Sequence, residues 1–124
     1  KSTDNGKSWS KASPINLKMQ ITSPLFIRKG LMVCACQDRF SSNPGIKALL
    51  SYDEGMNWDH ESQLTIFSAN SKPDGTNPFQ QFTQFKFGYS SILKLSQNQF
   101  AVCYWHDNSE TTSISLSILE ICDS

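Results

Sequence analysis

The chain has 124 residues, of which 38% are hydrophobic and 18% charged, and its 11 basic and 11 acidic residues give a net charge of zero at pH 7. This composition predicts one small folded domain and excludes a disordered chain. A neutral chain carries no electrostatic signal for nucleic acid binding. The sequence also contains no run of about eighteen apolar residues, which a membrane-spanning helix would need. The sequence therefore predicts no nucleic acid partner and no membrane-spanning segment.

The first element in chain order is a turn motif that occurs twice, as Ser2–Trp9 (STDNGKSW) and Ser51–Trp58 (SYDEGMNW). In the shared pattern Ser-x-Asp-x-Gly-x-x-Trp, the glycine can adopt positive φ and the aspartate can accept hydrogen bonds from turn N–H groups. The serine can bond within the same turn, and we expect the tryptophan to pack into a sheet as an apolar anchor. The ligand series of a calcium loop is absent. We therefore predict a structural role for Ser2, Asp4, Gly6, Trp9, Ser51, Asp53, Gly55 and Trp58.

The remaining sequence reads as short β-strands separated by turn residues, with no helical period. Four runs predict an antiparallel meander: Ser23–Lys29, Leu31–Gln37, Gly45–Tyr52 and Asn57–Phe67. Three further runs predict the start of a second meander: Tyr89–Ser96, Phe100–His106 and Thr112–Ile121. The segment from Trp9 to about Leu17 would be the last strand of a preceding unit. Both copies of the turn motif would then join a third strand to a fourth.

Side-chain patterns indicate which strands are internal. LMVCAC and FAVCYW are apolar on both faces, as inner strands require, whereas Ile114, Leu116 and Ile118 alternate with serines and predict an outer strand with one face in water. Cys34 and Cys36 lie two residues apart on one face and indicate neither a disulfide nor a metal site, and we expect the four cysteines to be buried thiols. The sequence indicates no metal and no cofactor.

Repeated four-stranded meanders are the blades of β-propellers. The sequence therefore predicts an all-β fold with about two blades: residues 1–22 end one blade, 23–67 form a complete blade, 68–88 form a long loop, and 89–124 form an incomplete last blade. The long connections Gln37–Pro44 and Ser68–Gly88 fall at one end of this scaffold, where binding and catalysis are usually placed. Arg39 and Tyr89 fall at the same end, on neighbouring blades.

The turn motif resembles the Asp-box, or bacterial neuraminidase repeat, of sialidases and related glycoside hydrolases. Cys34–Asp59 is similar to that family's order of strand, arginine loop, strand and Asp-box, and Gly88–Trp105 resembles the segment that carries the catalytic tyrosine. The resemblance implies a six-bladed propeller and an exo-acting hydrolase that removes terminal, acidic sugars from glycans, in a secreted or extracytoplasmic setting. Six blades need on the order of 300 residues, so the chain would be a C-terminal part, with the missing blades as packing partners.

The resemblance also implies roles for individual residues. Sialidases hold the substrate carboxylate with three arginines, because a planar guanidinium pairs bidentately with a carboxylate. Arg39 matches the position of one of these arginines. Tyr89 matches the nucleophile, a neutral phenol that does not repel an anionic substrate but needs a glutamate base. Asp38 is a weaker candidate, as a residue that supports the substrate-binding arginine.

Structural alternatives stand beside these roles. Tyr89 could be a packing residue, and Arg39 with Asp38 a solvated surface pair worth little. An aromatic series could line a sugar site or only pack a loop: Phe79, Phe82, Phe85 and Phe87.

Other parts of the family's site have no match in the chain. The chain has only two arginines, and the second, Arg28, precedes a turn at the opposite end. The glutamate base and the acid/base aspartate have no counterpart here, so the chain alone is predicted to be inactive within an active parent. The alternative is a non-catalytic Asp-box propeller that binds glycan or protein.

Overall fold

The computed structural model describes residues 1–22, 24–39, 41–69, 77–108 and 110–122, except the side chains of Pro78 and Phe82. Within these ranges the chain is all-β apart from one short helix, and the strands form two antiparallel sheets. The elements are β1 (Gln20–Ile21), β2 (Leu25–Arg28), β3 (Leu31–Asp38), β4 (Gly45–Ser51), β5 (Asp59–Ser68), α1 (Pro78–Thr83), β6 (Phe87–Lys94), β7 (Gln99–Asp107) and β8 (Thr112–Glu120). No helix among the described residues has the length and apolar character needed to cross a bilayer.

The first sheet is an antiparallel meander in which β3 pairs with β4 and β4 pairs with β5. Two short strands, β1 and β2, both pair with the other edge of β3. The predicted meander is therefore confirmed, but its first strand is divided, and β1 extends it before the predicted boundary at residue 23. Ser23 itself lies outside the described residues.

The second sheet contains β6, β7 and β8 in that order, as predicted for the second meander. Strand β8 alternates as expected, but the face it turns to water is the apolar one. Ile114 is 78% exposed, and Leu116 and Ile118 are each 64% exposed. The serines between them are half-buried, and Ser115 shares a hydrogen bond with His106 (Oγ to Nε2, 2.9 Å).

The two sheets pack face to face across one side of β3. All eight residues of β3 are buried, which confirms the predicted inner strand. Because successive side chains of a strand point to opposite faces, Leu31, Val33 and Ala35 join the core shared with the second sheet. Cys34 and Cys36 instead join a second core cluster on the opposite face of β3.

The cysteines differ in their surroundings. Cys34 and Cys36 are buried free thiols with sulfur atoms 3.3 Å apart, and this contact together with burial raises the pKa of the Cys34 thiol. Cys103 is half-buried and Cys122 is exposed, so the expectation of buried thiols holds only for the first pair.

The segment predicted as the last strand of a preceding blade, Trp9 to Leu17, contains no strand. A strand needs a neighbour to pair its backbone N–H and C=O groups, and no strand of the described structure pairs with this segment. The Asn16 side chain instead bonds both the N–H and the C=O of Trp58 (2.9 and 3.0 Å). Leu17 packs against the second core cluster, so the segment covers the first sheet without joining it.

The connection between the sheets contains a short helix that the sequence pattern did not indicate. The Asn77 side chain accepts a hydrogen bond from the Gln80 N–H (2.9 Å), and Pro78 occupies the first turn. An asparagine N-cap followed by proline favours a helix start. Six residues are too few to show a helical period, which is why α1 was missed.

Candidate functional site

A cleft of about 610 Å³ opens between the two sheets, at the end that carries the long connections. Arg39 follows the last residue of β3, and Tyr89 lies near the start of β6. The structure brings these two residues, predicted to share one end of the fold, into the same cleft. The lining consists of Gln20, Gln37, Arg39, Thr83, Phe85, Tyr89 and Trp105.

The Arg39 guanidinium lies over an aromatic ring. Its central carbon is 3.7 Å from the centroid of the Phe85 ring and 5.6 Å from that of Phe87, which are cation–π distances. Nη2 donates to the Gln37 side-chain oxygen at 3.5 Å, whereas Nε and Nη1 are buried and have no hydrogen-bond partner among the described residues. Burial lowers the pKa of Arg39, and the nearby Tyr89 partly offsets this shift, but a guanidinium stays protonated.

A glycine allows this crowded arrangement. A Cβ atom on Gly88 would lie 3.0 Å from Nε1 of Trp105 and 3.1 Å from Nη2 of Arg39. Real Cβ atoms rarely approach neighbouring atoms so closely, so any larger residue at position 88 would displace the indole or the guanidinium. Gly88 therefore sets the width of the cleft immediately before Tyr89.

The backbone at Tyr89 has an unusual conformation. Gly88 pairs with Trp105 and Ser91 pairs with Cys103, so Tyr89 and Ser90 together face a single residue of β7. This is a β-bulge, and Tyr89 has φ of +43°, which is uncommon for a bulky residue. Tyr89 is 83% exposed, so it does not pack within the described part of the chain. Bulges often re-aim a side chain beside a functional site.

A hydrogen-bond bridge holds the two sides of the cleft together. The Gln37 amide donates to the Ser90 hydroxyl at 3.1 Å, and both residues are buried. The same Gln37 accepts the bond from Arg39, so one side chain on β3 links the guanidinium to the residue after Tyr89. At the other end of the sheets, the Lys94 ammonium donates to the Ile27 carbonyl. These contacts restrict sliding of one sheet over the other.

Asp38 does not support Arg39. Adjacent strand residues point to opposite faces, and Asp38 pairs with buried Lys47 on the far side of the first sheet (2.5 Å). Burial alone would raise the pKa of Asp38, but the hydrogen bonds from Lys47 and Ser41 and the Lys47 charge outweigh burial and lower the pKa. The alternative of a solvated Arg39–Asp38 pair is therefore excluded as well.

The predicted aromatic series is divided in the structure. Phe85 supports the Arg39 guanidinium, and Phe87 is buried in the core between the sheets. Phe79 is 77% exposed on α1, and the side chain of Phe82 lies outside the described part of the chain. Among the described members of the series, Phe85 lines the cleft.

The two turn motifs contain the hydrogen bonds that the pattern predicts. In the second copy, Ser51 donates to the Asp53 carboxylate (2.9 Å) and accepts from the Gly55 N–H (2.9 Å), while Asp53 accepts from the Asn57 N–H (2.8 Å). The first copy repeats these contacts from Ser2, Asp4 and Gly6, with distances of 2.8 to 2.9 Å. Trp58 is buried but Trp9 is 73% exposed, so the prediction that Trp9 packs into a sheet is wrong.

Several residues of the cleft were not predicted from the sequence: Gln20, Gln37, Thr83, Gly88 and Trp105. Gln37 carried a signal, since an amide inside the apolar run LMVCACQ is unusual in a buried strand and needs partners. The others depend on which loop meets which strand. Within the described ranges, no group of three or more His, Cys, Asp or Glu residues is arranged to hold a metal ion.

Comparison with protein-family models, with curated proteins and with solved structures found no match to this chain.

Proposed function

We propose that the cleft binds the carboxylate of a terminal acidic sugar, and that the chain forms part of a sialidase-like exo-glycoside hydrolase. The observation that carries this proposal is the Arg39 guanidinium, which is held in the cleft with two buried N–H donors unpaired among the described residues. Buried donors without partners are costly and rare in native structures, so a site with this feature calls for an acceptor.

The surroundings of Arg39 favour an anion as that acceptor. The described lining of the cleft contains no Asp or Glu, so the guanidinium charge is not neutralised locally. A carboxylate pairs with the guanidinium fork through charge-assisted hydrogen bonds. Because Nε and Nη1 are shielded from solvent, pairing with a carboxylate would require the guanidinium to turn away from Gln37 and Phe85. The Phe85 and Trp105 rings supply apolar surface for the body of a sugar.

Tyr89 is the proposed nucleophile. It is exposed into the same cleft as Arg39, on a backbone whose left-handed conformation costs on the order of 1–3 kcal/mol. Strain of this kind is concentrated at functional sites. A phenol must lose its proton to attack, and the absence of a carboxylate from the described lining means that another part of the protein supplies the base.

An assembly larger than these two sheets would supply the missing groups. Strand β8 has one unpaired edge within the described structure, and its outer face exposes Ile114, Leu116 and Ile118. Apolar side chains grouped on an exposed sheet face mark an interaction surface. We propose that further propeller blades cover this face and contribute the remaining arginines, the base and the acid.

Arginine substitutions test the binding step, with a methyl sialoside as the probe in calorimetric titration of the chain. Arg39→Lys keeps the charge but loses the planar fork, so we expect affinity to fall about tenfold. Arg28→Lys is the matched control, because Arg28 lies outside the cleft lining, and we expect no change. Equal effects of the two substitutions, or equal affinity for the methyl ester of the probe, would exclude carboxylate binding at Arg39.

Tyrosine substitutions test the chemical step in the full-length protein. Tyr89→Phe removes only the hydroxyl, so we expect hydrolysis of an aryl sialoside to be lost while folding and binding persist. Tyr52→Phe is the control, since Tyr52 is also exposed but lies in the second turn motif. Hydrolysis that persists in Tyr89→Phe would remove Tyr89 from the mechanism.

A non-catalytic glycan-binding propeller is the second candidate function. The lack of any carboxylate in the described lining of the cleft favours it, since the chain then offers binding groups but no base. Binding that depends on Arg39, with no hydrolysis by the full-length wild-type protein, would support this alternative.

A further inference from the structure

The Arg39 guanidinium is held in a position that hides the edges with which it could pair bidentately. A carboxylate pairs with a guanidinium in its plane, along an edge that presents two of the three nitrogen atoms. Nε and Nη1 are both buried, and every edge of the group includes at least one of them. Nη2 already donates to the Gln37 side chain. The guanidinium must therefore move before it can form a bidentate pair.

The contact with Phe85 is the main restraint on this movement. The central carbon of the guanidinium lies 3.7 Å from the centroid of the Phe85 ring, well inside the limit of about 6 Å for a cation–π contact. The hydrogen bond to Gln37, at 3.5 Å, is longer than the usual range of about 2.7–3.2 Å. Phe87 lies farther away, at 5.6 Å. Release of the guanidinium therefore depends mostly on its separation from Phe85.

Phe85 lies outside the packed frame of the two sheets. It follows α1 in the connection between the sheets, is half-buried, and belongs to neither core cluster. Gln37, by contrast, is buried in β3 and bonded to Ser90 of the second sheet. Surface connections are more mobile than the elements they join. Arg39 and Phe85 can therefore separate while Gln37 and the sheets keep their places.

We infer that Phe85 is a positioning residue that restrains Arg39: its ring competes with the carboxylate of a ligand for the guanidinium, and binding separates the two side chains. This inference rests on the proposed function of the cleft. The apparent affinity of such a site is the intrinsic affinity multiplied by the fraction of molecules in which the guanidinium has left the ring. Weakening the contact with Phe85 therefore strengthens binding.

Substitutions of Phe85 test the inference, with a methyl sialoside titrated calorimetrically into the chain. Phe85→Leu keeps an apolar side chain but removes the aromatic face, so we expect affinity to rise about three- to tenfold, the scale of one cation–π contact. Phe85→Tyr keeps the ring and should bind as wild type does. Phe79→Leu is the matched control and should change nothing, since Phe79 lies on α1 outside the cleft lining.

The outcomes separate this inference from the proposed function. Unchanged or lower affinity in Phe85→Leu, with binding still weakened in Arg39→Lys, would overturn the restraint and leave carboxylate binding at Arg39 intact. Equal gains in Phe85→Leu and Phe79→Leu would also overturn the restraint. Binding by Phe85→Leu with none by wild type would support both ideas, and no binding by either protein would overturn both.

The position of the guanidinium can also be followed directly by NMR, because the chain has two arginines, Arg28 and Arg39, and hence two Nε–H signals. A proton over the face of an aromatic ring is shifted upfield by the ring current. We expect the Arg39 signal to lie upfield of the Arg28 signal in wild type and in Phe85→Tyr, but not in Phe85→Leu. Saturation with the methyl sialoside should remove this upfield shift in wild type. An Arg39 signal that stays upfield with the sialoside bound would overturn the inference.

Discussion

The two copies of the turn motif have the same backbone and the same hydrogen bonds, but their tryptophans have different surroundings. Gly6 and Gly55 have φ of +83° and +85°, and the residues before them, Asn5 and Glu54, have φ of +58° and +61°. Nevertheless Trp9 is 73% exposed and Trp58 is 3% exposed. The local turn and the packing of the tryptophan are therefore separate properties of the motif.

The difference shows which part of the motif needs a sheet. The hydrogen bonds of serine, aspartate and glycine that close each turn all lie within its own eight residues. Trp58 is buried because it packs with Met32, Cys34 and Leu49 on one face of the first sheet. Trp9 belongs to neither core cluster of the described residues, and its indole N–H instead donates to the Gly6 carbonyl (3.2 Å).

The largest expected contrast is between the two tryptophans. Trp58→Ala removes a buried ring and leaves a cavity, which should lower the free energy of unfolding by about 3–5 kcal/mol. Trp9→Ala removes an exposed ring and should change it by less than about 0.5 kcal/mol. Urea unfolding followed by circular dichroism measures both. Losses of similar size would mean that Trp9 packs in solution and that the contrast is absent.

The two glycines should show a smaller contrast. Alanine at either position must adopt a left-handed conformation, which costs roughly 1–2 kcal/mol. At Gly55 this cost should appear in global unfolding, because the turn joins β4 to β5, and a new Cβ would meet Met32 and Trp58 only at ordinary contact distance (3.6 and 3.7 Å). At Gly6 only the local turn should open. Hydrogen exchange of the turn amides, compared with urea midpoints, separates the local effect from the global one.

The two aspartates should give the smallest contrast, visible in how the stability of the protein depends on pH. Hydrogen bonds from Ser8 and Ser2 lower the pKa of Asp4 to about 2, and those from Asn57 lower the pKa of Asp53. A lowered pKa means that the stabilising effect is complete above about pH 4 and is lost as the pH falls through the folded-state value. We expect acid to lower the urea midpoint of wild type more than that of Asp53→Asn, whereas Asp4→Asn should follow wild type.

An NMR titration of the carboxyl groups checks the same prediction directly. The Asp4 carboxyl should titrate near pH 2. The other resonances that shift with it should belong to residues of the first turn. Ordinary pKa values for both aspartates would contradict the turn hydrogen bonds in solution.

Much of the fold could be predicted from the sequence because strand signals are local. The breaks at Gly30 and at the second turn motif, together with the apolar run that forms β3, gave strand boundaries within about two residues of those observed, the first strand apart. The break between β1 and β2 had no such signal. The outward apolar face of β8 had no sequence signal either, since alternation indicates two faces but does not say which one meets the other sheet.

The site could be predicted only in part for the same reason. The positions of Arg39 and Tyr89 in the strand order predicted a shared end of the fold, and the structure places both in one cleft. Three features of the site depend on the register of β6 against β7 and on contacts between distant segments, and so could not be predicted. They are the bulge at Tyr89, the close approach of two side chains to Gly88, and the position of Gln37 between the sheets. Asp38 was misplaced because its neighbour Arg39 points to the opposite face of the strand.

The Gln37–Ser90 bridge has a consequence for how ligand choice can diverge among related proteins. It links the Arg39 side of the cleft to the residue after Tyr89 through the sheets, whereas Thr83 and Phe85 reach the cleft from the connection between the sheets. Surface connections tolerate substitution and changes in length far better than packed strands do. Replacements at the exposed Thr83 can therefore alter which ligands fit while Phe85 still supports the guanidinium, so single substitutions at this position can change specificity.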